Sequence, residues 1–275
     1  MTKNFYNEVY QADHPSRYDG GGEGMPQRTA KLIQKTLAWL EQTGLAVQPG
    51  AKVLEIGCGM AFLSRIHAGW YGAEFSSTAV ARVKERDGPH TPIFEEDAQH
   101  LSFDDESFDG LFTWAALEHV PDPDKAFREI DRILRGGGHG LIAPAWNCRP
   151  WTVKKIEQRP MSELSWGERV ERLLIPIREL LLVRALFALP RRLLGELTLV
   201  ILGKKSFSLR YQSLQPRWDL IECYGHVSDD DAVANIDPHA AILFFKSRGY
   251  QIISHPTLLR RLSARHESVI VRKPL

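Results

Sequence analysis

The sequence predicts an α/β fold built on an open, doubly wound sheet. Two observations carry that expectation. Val53-Leu54-Glu55-Ile56-Gly57-Cys58-Gly59 is a short apolar run that ends in an acid and breaks into paired glycines, and fifteen residues past Gly59 a second such run ends in Glu74. A run of this kind reads as a parallel core strand, and glycines at its carboxyl end let a ligand approach the backbone without meeting a Cβ. Ligands of open α/β sheets bind at that end, where an ionised carboxylate closing the next strand offers two acceptor oxygens to the hydroxyls of a ribose. The pattern suits an adenosine-containing ligand.

The elements follow in chain order. Residues 1–24 carry Phe5, Tyr6, Tyr10 and Tyr18 and end in Gly20-Gly21-Gly22-Glu23-Gly24, a hinge by composition. Ala30, Ile33, Leu37 and Leu40 then recur at helical spacing. After the glycine loop a dinucleotide site would need a third glycine opening a helix whose amino end holds pyrophosphate, but Phe62 stands there. Phe94-Glu95-Glu96-Asp97-Ala98 precedes Leu101-Ser102-Phe103, and Ser107 to Phe112 reads as a strand leading into Trp114-Ala115-Ala116-Leu117-Glu118-His119-Val120-Pro121. Ala126, Phe127, Ile130, Ile133 and Leu134 have helical spacing, Gly136-Gly137-Gly138 ends that helix, and Gly140 to Ala143 resumes a strand. Near the end, Ala240 to Phe245 reads as a buried helix capped by Asp237, with Pro238 at its first position and a stop at Gly249. Gln251 to Ser254 and Ser268 to Val271 read as strands.

This ordered set, over roughly residues 50 to 146, resembles the class I S-adenosylmethionine-dependent methyltransferases. The resemblance implies a Rossmann-like, seven-stranded, doubly wound sheet whose final pair is antiparallel, with S-adenosylmethionine as cofactor. It implies that Glu55, Gly57, Cys58 and Gly59 lie against the methionine part, Glu74 holds the ribose beside Phe75, and Asp97 and Ala98 read the adenine. Trp114 would line the cofactor and the transfer site. Two departures stand out: Ala61 occupies a place where a further glycine is common, and the ribose acid is Glu rather than Asp.

Composition agrees with one main catalytic core plus additions. The chain has 275 residues, of which 43% are hydrophobic and 25% charged, ordinary values for a globular protein. Cys58, Cys148 and Cys223 form no C-x-x-C pair and are odd in number, which suits a reducing compartment. The first residues lack an apolar signal core, so cytoplasm is expected. The organisation read from the sequence is a cap segment with lead helix at 1–45, a cofactor-binding domain at 46–146 plus 237–275, and a mainly helical insertion at 147–236 before the last helix, forming a cap.

That insertion is basic and leucine-rich. From Arg149 to Arg217 there are fourteen Lys and Arg against six Glu, while the rest of the chain carries a deficit of seven positive charges. From Leu180 to Leu202 it is strongly apolar, yet Arg184, Arg191 and Arg192 interrupt it, so it should not span a bilayer. If the helix continues past Pro190, the arginines and Glu196 gather in one sector. Such a helix either packs as a cap or lies at a membrane surface. The cap is preferred, with arginines that attract an anionic acceptor, and peripheral membrane contact is the other use. Basic runs interleaved with aromatics are lacking, so nucleic acid is not an expected partner.

His119 and Tyr18 are the candidates for a catalytic base, needed where the nucleophile is a hydroxyl. No metal is expected: Asp229 to Asp231, near His226, read as turn caps rather than ligands of an oxygen-rich cation site. The function expected is methyl transfer to a small or carrier-bound, anionic acceptor, oxygen before nitrogen. The alternatives are another use of the same cofactor, such as intramolecular cyclisation, and a non-catalytic binding protein at the membrane. The oligomeric state is not legible.

Overall fold

The computed structural model of the chain describes residues 2–11, 25–202, 207–221, 223–224 and 229–275. Chain contacts divide it into two compact units: Met1–Leu117, Lys125–Ala143 and Ile270–Leu275 form the first, Glu118–Asp124 and Pro144–Val269 the second.

The strands are β1 (Val53–Ile56), β2 (Trp70–Glu74), β3 (Ile93–Glu95), β4 (Phe108–Trp114), β5 (Leu134–Ala143), β6 (Tyr211–Ser213), β7 (Ala234–Ile236), β8 (Gln251–Ile252) and β9 (Val269–Arg272). A seven-stranded sheet runs in the order β3-β2-β1-β4-β5-β9-β8. The pairs β1–β2, β1–β4, β2–β3 and β4–β5 are parallel. All four residues of β1 are buried, as expected of a strand covered on both faces. Chain order reverses between β1 and β4, so the switch point, where ligands of such sheets bind, lies beyond Ile56 and Trp114.

Helices of the first unit include α1 (Thr2–Val9), α2 (Met25–Thr43) and α3 (Ser77–Asp87). Trp39 and Leu40 of α2 are buried in the core with Val53 and Phe112. Ser76 caps α3 by accepting the Ala79 N–H at 3.2 Å. Helix α4 (Pro123–Ile133) precedes β5. The triple glycine does not interrupt the chain there: Gly136 to Gly138 lie inside β5, whose register shifts against β4 between Phe108 and Gly110. A Cβ at Gly138 would come within 2.9 Å of the Asp109 carbonyl oxygen, and Gly137 adopts a left-handed φ of +77°, so close backbone approach and a local turn within the strand are what these two glycines serve.

The second unit holds α5 (Pro150–Val153), α6 (Trp166–Glu179), α7 (Leu181–Leu202), α8 (Pro238–Ser247) and α9 (Leu258–Ser263). A reciprocal Ser165–Glu168 capping box starts α6, and β6 pairs antiparallel with β7. Helix α7 continues through Pro190. It approaches α8 closely at Gly195, where a Cβ would stand 2.6 Å from Leu243. A further short helix, α9, follows α8.

The inserted helix is turned opposite to the expectation of outward arginines. Arg192 is buried, donating to Asp237 at 2.8 Å and to the Leu262 carbonyl at 2.6 Å. Buried Glu196 accepts from Arg261 at 2.7 Å and Lys246 at 2.6 Å, and these cations hold its carboxyl far below the usual range against the opposing effect of burial. Leu182, Leu186, Leu193, Leu197 and Val200 face outward instead. A buried charge must be paired, and the acids and bases of α8 and α9 supply those pairs.

Candidate functional site

The loop after β1 is shaped by backbone conformation and one carboxylate. Gly57 (φ +72°) and Gly59 (φ +51°) adopt the left-handed region. A Cβ at Gly57 would lie 2.3 Å from the Ala116 Cβ, on the loop after β4, and one at Gly59 would lie 2.9 Å from the Tyr10 hydroxyl. Ala61 is also left-handed (φ +54°) and buried, in the place where a glycine would carry less strain. The chain after Gly59 runs in turns through Ile66, without a helix.

The Gly57 and Cys58 N–H groups both donate to the Ala73 carbonyl, at 2.8 and 3.2 Å, and Gly59 N–H donates to Glu74 Oε2 at 2.8 Å. The loop N–H groups are thus committed to the end of β2, and the Cα atoms of Gly57 and Gly59 pack against Ala116 and the Tyr10 hydroxyl. Glu74 Oε1 accepts the Ser76 N–H at 2.8 Å. Each carboxylate oxygen thus accepts one of these backbone bonds and keeps further lone-pair capacity. Burial raises the Glu74 pKa, opposed by the backbone bonds from Ser76 and Gly59.

Glu55 is buried and accepts the Trp70 Nε1–H at 2.9 Å. Burial, only partly offset by that bond, pushes its carboxyl up to about 8. Cys58 is buried, with its Sγ 2.8 Å from where a Gly72 Cβ would stand, so it faces the sheet. Half-buried Trp114 donates from Nε1 to Thr36 Oγ1 at 3.0 Å, which fixes it to α2. Asp97 accepts from the backbone N–H and side-chain amide of Gln99, at 2.9 and 3.0 Å. Ala98 and Phe75 are half-buried, and the Lys3 ammonium lies 5.4 Å from the Phe75 ring centre.

Helix α1 adds residues that the sequence did not single out for the site. Asn7 Oδ1 accepts the Ser76 hydroxyl at 2.9 Å, and Arg82 donates to the Tyr10 carbonyl at 2.8 Å. These bonds hold Tyr10 over Gly59. The aromatics of the leading segment were the available signal. Tyr18 lies outside the described residues, as do the glycine hinge and His226.

The second unit contains the histidine candidate. His119 Nδ1 lies 3.6 Å from Asp231 Oδ2, and Nε2 lies 3.6 Å from Glu118 Oε1. Burial alone would lower the His119 pKa, but the Asp231 and Glu118 carboxylates outweigh it and raise the value. Glu118 is fully buried, neither of its oxygens has a well-formed hydrogen bond among the described residues, and burial pushes its carboxyl up to about 6. Asp230 pairs with buried Lys155. Asp230 and Asp231 are therefore buried partners of cations rather than solvated turn caps. The same unit has a cavity of about 590 Å³ lined by residues that include Arg191, Arg192, Arg210, Tyr211, Asn235 and Asp237.

Residues 54–142 match the family described as methyltransferase domain. Taken with the strand order and the glycine loop at the switch point, that match decides the kind of domain. Residues 54–142 are a methyltransferase domain. Methyltransferase GfsG of Streptomyces halstedii is 32% identical over 139 residues, 47% of this chain and 47% of the relative. The 2-methyl-6-phytyl-1,4-hydroquinone methyltransferase of Synechocystis sp. is 34% identical over 154 residues, 52% of this chain and 47% of the relative. The chain thus spans about half the length of these curated relatives. Among solved structures, the N-methyltransferase NodS of Bradyrhizobium japonicum WM9, in complex with S-adenosyl-L-homocysteine, is 21% identical over 53% of this chain and 74% of that one, with a TM-score of 0.43.

The cofactor of this family, S-adenosylmethionine, fits the residues present. The Glu74 carboxylate is fixed at the end of β2 with acceptor capacity left on both oxygens. Among the described residues, no group of acidic, histidine and cysteine side chains is arranged to hold a metal ion.

Proposed function

We propose that the protein transfers the methyl group of S-adenosylmethionine to the oxygen of a small or carrier-linked, anionic acceptor. The observation that carries this reading is Glu74, whose two oxygens are oriented by the Gly59 and Ser76 N–H groups at the end of β2.

Bound cofactor supplies a methyl on a sulfonium, an electrophile that needs alignment and dry surroundings more than activation. Glu74 would take the ribose hydroxyls, and Asp97 and Ala98 would take the adenine. The carbonyls of the glycine loop, with Glu55 behind them, would face the methionine part. Tyr10 and α1 would keep water from the loop. Trp114, held by Thr36, would give the cofactor a rigid wall.

Oxygen is preferred because His119 stands between two carboxylates and, once neutral, can accept the proton of an attacking hydroxyl. The anionic character of the acceptor is supported by the cavity of the second unit, where three guanidinium groups accompany Asp237. Arg210 has no carboxylate partner among the described residues.

The test is incubation of the purified protein with methyl-labelled S-adenosylmethionine and a metabolite extract, followed by mass spectrometry. The reading requires a labelled product shifted by one methyl group, formed with S-adenosylhomocysteine. Cofactor breakdown without a methylated product would contradict it.

A further inference from the structure

The α6–α7 hairpin turns a continuous apolar face away from the protein. On α7, Leu182, Leu186, Leu193, Leu197 and Val200 recur at helical spacing and are 83, 69, 43, 56 and 76% exposed. Trp166, Leu173 and Ile177 on α6 and Leu258 and Leu259 on α9 are exposed as well, and α7 packs against both of those helices. An apolar patch on an ordinary protein covers ~300 to 600 Å². Ten large side chains, each roughly half exposed or more, exceed that. The adjoining side of α7 holds Arg192 and Glu196 in buried ion pairs, so the helix cannot roll to hide its leucines without stranding both charges.

We propose that this face docks on an anionic lipid surface. The occupant is chosen by charge. Arg178, Arg191 and Arg260, on the same three helices, are exposed; Arg178 lies 3.5 Å from Glu171 and Arg191 pairs with Asp237. The exposed acid Glu179 is engaged by Arg149 at 2.7 Å, and α6, α7 and α9 together carry eight Arg against four Glu. Lipid headgroups of negative charge complement this surplus. A second copy of the chain would bring the same surplus and repel it. Apart from the Trp166 indole N–H, these side chains offer no hydrogen-bonding group to select a protein partner, whereas leucines and a tryptophan with arginines on the same helices suit the boundary between headgroups and acyl chains. No helix among the described residues is long and apolar enough to cross a membrane, so the helices would lie in the surface.

The experiment is flotation of the full chain with vesicles of phosphatidylcholine alone and of equimolar phosphatidylcholine and phosphatidylglycerol. The proposal requires flotation with the anionic vesicles and about tenfold or more weaker partition with the neutral ones. Leu182→Glu, Leu186→Glu and Val200→Glu together should abolish flotation while the far-UV spectrum and thermal midpoint stay unchanged. Arg178→Gln with Arg260→Gln should weaken flotation on anionic vesicles and leave neutral ones unaffected. Absence of flotation on both vesicles, or flotation that survives the triple Glu variant, would overturn the proposal. So would a dimer in light scattering that the triple variant dissociates without any vesicle binding, since the face would then belong to a second copy.

Discussion

Glu74 Oε2 accepts the Gly59 N–H at 2.8 Å, so the acid that ends β2 also fixes the glycine loop after β1. One side chain therefore closes β2 and fixes the shape of the loop beside it. The relationship depends on parallel neighbours: Ile56 pairs with Ala73, one residue before Glu74, and the Ala73 carbonyl takes the Gly57 and Cys58 N–H groups.

Glu55 should make the protein less stable as pH rises. Its folded pKa, about 8, lies above the ordinary 4.5. Between those values the folded state keeps a proton that the unfolded state has released, so stability declines through that window. Glu55→Gln still accepts from Trp70 and has no proton to lose. Its urea unfolding free energy should exceed that of the parent at pH 8 to 9 by about 4 to 5 kcal/mol, with no gain near pH 4.5. Parallel pH profiles for the two proteins would place the titration elsewhere.

His119 should set the low-pH limb of the rate. A base must be neutral, and the carboxylates of Asp231 and Glu118 raise its pKa above 6.5, so kcat should climb with pH through a value above 6.5. His119→Gln should lower kcat by about a hundredfold or more and remove that limb, without changing the affinity for S-adenosylhomocysteine. A limb that persists in the variant would exclude His119 as the base.

The two neighbouring arginines of α7 should behave differently. Arg192 is buried on Asp237 and the Leu262 carbonyl, and Arg192→Gln leaves the carboxylate without its buried partner, costing about 3 kcal/mol. The Arg191 side chain is 63% exposed, so Arg191→Gln should cost less than about 1 kcal/mol. Equal losses in urea denaturation would contradict the orientation of the helix.

The orientation of that helix marks where sequence reading stopped. Periodicity separates an arginine sector from a leucine sector, but it does not say which of them is buried. That depends on Asp237, Lys246 and Arg261, which come later in the chain. Asp230 is similar: its partner Lys155 is 75 residues away, and a run of three acids carries no sign of it. The strands, the glycine loop and Glu74 were legible because their chemistry is local and ordered along the chain. The triple glycine was misread as a helix stop, since a glycine that allows close strand approach looks the same in sequence. Tyr10 was visible as an aromatic, but its place over Gly59 needs the fold.

Dinucleotides should not compete for the site. Phe62 stands where a third glycine would be, and the chain there forms turns, leaving no helix amino end for pyrophosphate. Neither NAD nor a flavin dinucleotide at micromolar concentration should displace S-adenosylhomocysteine in a competition titration. Displacement by either would mean that the loop reads phosphate.

Calorimetric titration of the protein and of Glu74→Ala with S-adenosylhomocysteine tests the central claim most directly. Charge-assisted hydrogen bonds contribute ~1.5 to 3 kcal/mol each, so the parent should bind one equivalent and the variant should bind more than about tenfold more weakly. A parent that does not bind, or a variant with unchanged affinity, would contradict the assignment of the cofactor cleft.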